Sequence, residues 1–130
     1  MNDLELLASL IRERNRVASD IASLVGRPAL MGHVGEFIAL RVFDIRLEQS
    51  AARAALNGYF AIGPCAGKSV DVKWYAKREG LLDISQGPLP DYYLVLTGPA
   101  APALSSRGTP RPWVIEFTYL FDARELVTEL

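Results

Sequence analysis

The sequence predicts an α+β domain, with leading N-terminal helices and a mixed central sheet of about four strands. Three observations predict it. Helix-period apolar spacing is confined to the front of the chain, and strand-type runs follow one another behind it instead of alternating with helices. The chain has 130 residues, the length of one domain. Half of them are hydrophobic and 22% are charged, which supplies a core and excludes disorder of the chain as a whole. The expected division is a single domain, with a long N-terminal helix over 1–27 and an α/β core over 29–130.

The elements follow in order. Leu4, Leu7, Ile11, Ala18, Ile21 and Val25 recur at steps of three and four, interrupted only by Arg14, and predict a helix from Asp3 to Val25. Asn2 or Asp3 caps its start, and Gly26-Arg27-Pro28 stops it. Leu10, Val17 and Leu24 add a second apolar row, so the helix either packs widely on its own domain or pairs with a second copy. Met31 to Phe43 reads as a second helix, apolar nearly all round and therefore central. Ile45 to Glu48 alternates like a short strand, and alanine-rich Ser50 to Leu56 suits a helical turn. Tyr59 to Ile62 and Ser69 to Tyr75 flank the turn residues Gly63 to Gly67 and predict a hairpin. Asp91 to Thr97 and Trp113 to Phe121 complete the strands, with a proline-rich loop over Ala100 to Pro112 between them and a short acidic helix from Asp122 to Leu130.

Composition narrows the function. A net charge of -1 excludes a protein that coats nucleic acid by bulk charge, while leaving room for a local basic site. Cys65 is the only cysteine, so no internal disulfide forms and a reducing, cytoplasmic setting is expected. Asp3 and Glu5 stand where a secretory signal needs basic residues. No apolar run approaches the roughly 18 residues that span a bilayer, so no membrane association is expected.

Gly67-Lys68-Ser69 has the ending of a phosphate-binding loop, but the first glycine of that motif would fall on Ile62, and strand sequence follows where a helix is needed. The strand itself carries the stronger signal. Asp71 and Lys73 project from one face, about 6.6 Å apart along the chain, while Val70, Val72 and Trp74 project from the other. A carboxylate and an ammonium on a core strand are costly unless they pair or border a cleft. The chain's three lysines, Lys68, Lys73 and Lys77, all fall on this strand and its flanks, and with Arg78 they form a local basic patch. Glu36 sits among apolar residues of the second helix and must either reach that helix's polar edge or be held by a partner such as a metal or a lysine.

A helical glutamate in Gly32-His33-Val34-Gly35-Glu36-Phe37-Ile38, the D-x-K of Gly67 to Tyr75, and the strand of Pro90 to Leu96 together resemble the PD-(D/E)XK, or restriction-endonuclease-like, superfamily, and within its neighbourhood small bacterial proteins. The resemblance spans roughly residues 30 to 121. It implies a restriction-endonuclease-like core and a Mg²⁺- or Mn²⁺-dependent nuclease acting on DNA or RNA. It also implies roles: Glu36, Asp71 and the Val72 carbonyl as metal ligands, Lys73 as the group that orients or deprotonates the attacking water, and Glu36, Asp71 and Lys73 as the catalytic set. The position of the first family acid is taken by Asn57, a neutral oxygen donor, which implies weaker metal binding and impaired catalysis. The alternative is a catalytically inactive relative that binds nucleic acid or a protein partner, with Lys68, Lys77 and Arg78, together with Lys73, as the basic contacts.

Other residues carry two readings each. His33 suits a cap or a structural contact as well as a shared ligand. Tyr92, Tyr93, Trp74 and Tyr75 suit base stacking or core packing. Arg107 and Arg111 suit a phosphate grip or a solvated loop. Arg12, Arg14 and Arg16 point in different directions, as on a solvated helix surface. A homodimer through the N-terminal helix is the remaining partner reading.

Overall fold

The computed structural model describes residues 2–47, 58–75, 84, 88–99 and 112–128. Helix α1 spans Asp3–Val25 and α2 spans Met31–Phe43. The strands are β1 (Ile45–Leu47), β2 (Gly58–Phe60), β3 (Ser69–Tyr75), β4 (Tyr92–Thr97) and β5 (Phe117–Asp122), and α3 is Ala123–Thr128. The fold is α+β.

Each helix starts and stops for local reasons. The Asn2 side chain accepts a hydrogen bond from the Glu5 backbone N–H at 2.8 Å, and its amide donates to the Glu5 carboxylate at 3.1 Å. Such a cap contributes about 1 kcal/mol. Gly26 closes α1, its N–H donating to the Ala22 carbonyl at 2.8 Å. Helix α2 ends at Asp44, whose N–H donates to the Leu40 carbonyl.

The sheet has five strands in the order β1-β2-β3-β4-β5, one more than the expected four or so, because Ile45–Leu47 pairs as a full edge strand. The β3–β4 pair is parallel and the other pairs are antiparallel, so the sheet is mixed. Gly58 opposes Leu47 at the β1–β2 edge. A Cβ there would lie 2.1 Å from the Arg46 carbonyl oxygen, so the strands close up only around glycine. At the head of the parallel pair, Asp91 and Ser69 clasp each other: the Ser69 N–H donates to Asp91 Oδ2 at 2.8 Å, and the Asp91 N–H donates to Ser69 Oγ at 2.9 Å. That exchange sets the register Val70↔Tyr92.

The two sheet faces differ. On one, Val70, Val72, Leu94 and Leu96 pack with Ala39 of α2, Ile45 and Phe60. Gly35 lets α2 approach β3, since a Cβ there would be 3.1 Å from the Trp74 Cβ. On the other face, Tyr93 and Val95 pack with Ala123 of α3. Helix α2 is less central than its composition suggests: only Gly35 and Ala39 are buried, and Val42 is exposed. Helix α1 buries no residue at all. Strand β5 begins later than expected, at Phe117, because Trp113 instead turns its ring edge-on to Trp74. The alanine-rich stretch 50–56 and the loop 100–111 lie outside the described residues.

Candidate functional site

Strand alternation brings Asp71 and Lys73 to one face of β3, with Tyr93 beside Asp71 across the parallel pairing. The Lys73 ammonium lies 3.4 Å from Asp71 Oδ2. The lysine side chain is 28% exposed and the aspartate side chain only 6%. The pair therefore spans the boundary between the core and solvent, with the acid inside and the amine reaching outward. The face is not the solvated one that a plain surface ion pair would occupy.

The electrostatics follow from that placement. Burial pushes the Asp71 carboxyl above its ordinary range, the Lys73 charge pulls it back, and the negative charge of Glu36 adds to the upward push. Glu36 belongs to α2, which covers the Val70–Val72–Trp74 face, yet it stands close enough for its field to reach Asp71. Its carboxylate accepts a hydrogen bond from the Arg27 guanidinium, making an ion pair in which the glutamate side chain is only 13% exposed. One partner of Glu36 is thus an arginine from the α1–α2 junction. Sequence reasoning read Gly26-Arg27-Pro28 only as a helix stop and missed it; the one signal was a long cation placed directly before the apolar helix.

Tyr93 was a base-stacking candidate, and its burial removes that role. It is 0% exposed. Among the described residues its hydroxyl has no hydrogen-bond partner. Burial and the Asp71 charge both push that phenol above its ordinary range, with Lys73 opposing. Tyr92 meets Phe60 edge-on, a core contact. The His33 ring donates from Nδ1 to the Pro28 carbonyl at 3.0 Å, which is the structural role. Arg16 binds Glu13 and Asp20 along α1, as a solvated helix surface does. The Gly67-Lys68-Ser69 segment runs straight into β3, so no helix N-terminus meets it. Lys68 is exposed. Asn57, Lys77 and Arg78 lie outside the described residues, as do Arg107 and Arg111.

Chemically, the donors suit a hard divalent cation: carboxylate oxygens of Asp71 and Glu36 and the Val72 carbonyl are the ligand types that Mg²⁺ takes, usually one or two carboxylates completed by water and substrate. The upward push that burial, and to a lesser degree the Glu36 charge, exerts on the Asp71 carboxyl is of the sign that a nearby cation opposes. In number they are few. Among the described residues, no three His, Cys, Asp or Glu side chains gather tightly enough to hold a metal ion.

No family model matches the chain, and no curated protein matches its sequence. Among the described residues no helix is long and apolar enough to cross a membrane.

Proposed function

We propose that this chain is a cytoplasmic, Mg²⁺- or Mn²⁺-dependent phosphodiester hydrolase of the PD-(D/E)XK type, acting on DNA or RNA. The observation that carries the reading is the Asp71–Lys73 pair, 3.4 Å apart on an inner strand, with the helical Glu36 acting electrically on the same aspartate. The element order also supports it: a helix, three antiparallel strands, then a strand parallel to the third.

In this reading Asp71, the Val72 carbonyl and Glu36 hold the ion. When bound, it lowers the pKa of a water and offsets charge building on the phosphate. Lys73, with its stem in the sheet and its ammonium outward, orients the attacking water and stabilises charge on the phosphoryl oxygens. Lys68, Lys77 and Arg78 contact neighbouring phosphates and set the strand's path.

A second reading is favoured by Arg27. Its guanidinium already occupies Glu36, and Asn57 brings no charge to the third acidic position. The domain would then bind nucleic acid or a protein without cleaving it. Incubating labelled single- and double-stranded DNA and RNA with Mg²⁺ or Mn²⁺ separates the two. Cleavage that falls at least a hundredfold in Lys73→Ala and Glu36→Gln supports the hydrolase. No cleavage and no Mn²⁺ heat by calorimetry, with salt-sensitive nucleic-acid binding retained, selects the second reading.

A further inference from the structure

Among the described residues, helix α1 is more buried toward its C-terminal end than toward its N-terminal end. Ala18, Ile21, Ala22 and Val25 are half-buried, and they mark the side on which its C-terminal half meets α2. The same stripe continues N-terminally with its large side chains exposed: Leu4 is 77% exposed, Leu7 52% and Ile11 47%. Leu10, next to this stripe, is also exposed. A helix takes most of its stability from packing an apolar face, so a half-helix of leucines held in water lacks its usual support.

Charge says what covers it. The exposed stretch is acidic at one end, with Asp3 and Glu5, and net basic at the other, where Arg12 and Arg14 flank Glu13, itself paired with Arg16. Arg16 is already satisfied by Glu13 and Asp20 on its own helix. Asp3 and Arg14 stand about equally far on either side of the small residues Ala8 and Ser9. Laid parallel on a second copy, the stretch would set Arg14 against Arg14 and Asp3 against Asp3. Laid antiparallel, it sets each Arg14 beside the other copy's Asp3. Leu7 of one copy then packs on Ile11 of the other, and the Arg14 stem lies along Leu4. The interruption of the apolar row at Arg14 becomes a register mark.

We propose that the overhanging half of α1 is the interface of a homodimer in which two α1 helices pack antiparallel about a two-fold axis at Ala8–Ser9. This rests on α1 alone and is independent of the nuclease reading.

Sedimentation equilibrium of the full chain at micromolar concentration tests it. The expected mass is that of two chains, falling to one chain in Leu7→Glu/Ile11→Glu with helicity by circular dichroism unchanged. A single-chain mass for the unaltered protein means that something other than a second copy covers the stripe, and it overturns the proposal. Orientation is read by charge reversal. Arg14→Asp weakens the dimer roughly tenfold, because each pair is made twice across the axis, and adding Asp3→Arg restores it. A dimer whose affinity is unchanged in Arg14→Asp, where one like-charged pair merely replaces another, pairs its helices in parallel and sinks the antiparallel arrangement, as does failure of the double reversal to restore affinity.

Discussion

The Lys73 ammonium reaches Asp71 from the solvent side, 3.4 Å from Oδ2, on the sheet face that α2 leaves uncovered. The aspartate is inside and the lysine bridges outward, so the pair is asymmetric: the acid depends on the amine far more than the amine depends on the acid. Whatever binds here meets an ammonium first and a carboxylate behind it.

That asymmetry predicts the effect of removing each partner. Lys73→Met keeps the stem in the sheet and leaves Asp71 as an uncompensated buried carboxylate. The expected loss is about 1–3 kcal/mol of stability, measured by urea denaturation at neutral pH. A change within experimental error would mean that the pair contributes nothing to the fold.

The pH dependence has a definite sign. Burial raises the folded-state pKa of Asp71 above its unfolded value, so the native state binds the proton more tightly. Asp71 therefore favours the fold while protonated, and that contribution is lost as pH rises through its folded pKa. Asp71→Asn abolishes this dependence. The melting temperature of Asp71→Asn minus that of the unaltered protein should be larger at pH 7 than at pH 4. The opposite slope would show that Lys73 outweighs burial.

The Arg27 guanidinium forms an ion pair with the Glu36 carboxylate. On the hydrolase reading, Arg27→Gln should tighten Mn²⁺ binding severalfold by calorimetry, because one positive charge leaves the neighbourhood of the ligand carboxylates. Weaker binding would make Arg27 a positioning residue for Glu36 instead.

The clasp between Ser69 and Asp91 should behave as one unit. In a double-mutant cycle, Ser69→Ala and Asp91→Ala should show a coupling of about 0.5–3 kcal/mol in thermal or chemical unfolding. Additive losses would mean that the β3–β4 register is set by packing alone.

Gly58→Ala places a methyl group at 2.1 Å from the Arg46 carbonyl oxygen, where only backbone can give way. The expected result is a destabilisation of several kcal/mol, large for one methyl group, with β1 losing hydrogen-exchange protection before the rest of the sheet.

What the sequence determined by itself was local. Helix α1 ends where the apolar period and Gly26 say it does, α2 runs from Met31 to Phe43 as its composition implies, and β3 covers Ser69–Tyr75 with Asp71 and Lys73 on one face. Period, caps and the alternation of a strand are fixed by neighbours a few residues apart, so they are readable in one dimension. Tertiary structure decided the rest. It made Ile45–Leu47 a paired fifth strand, brought Arg27 to Glu36, sealed Tyr93 inside, and left leucines at the front of α1 exposed. Each of these depends on which distant surface arrives at a given side chain, and the energy of that meeting is not written in the spacing of either partner alone.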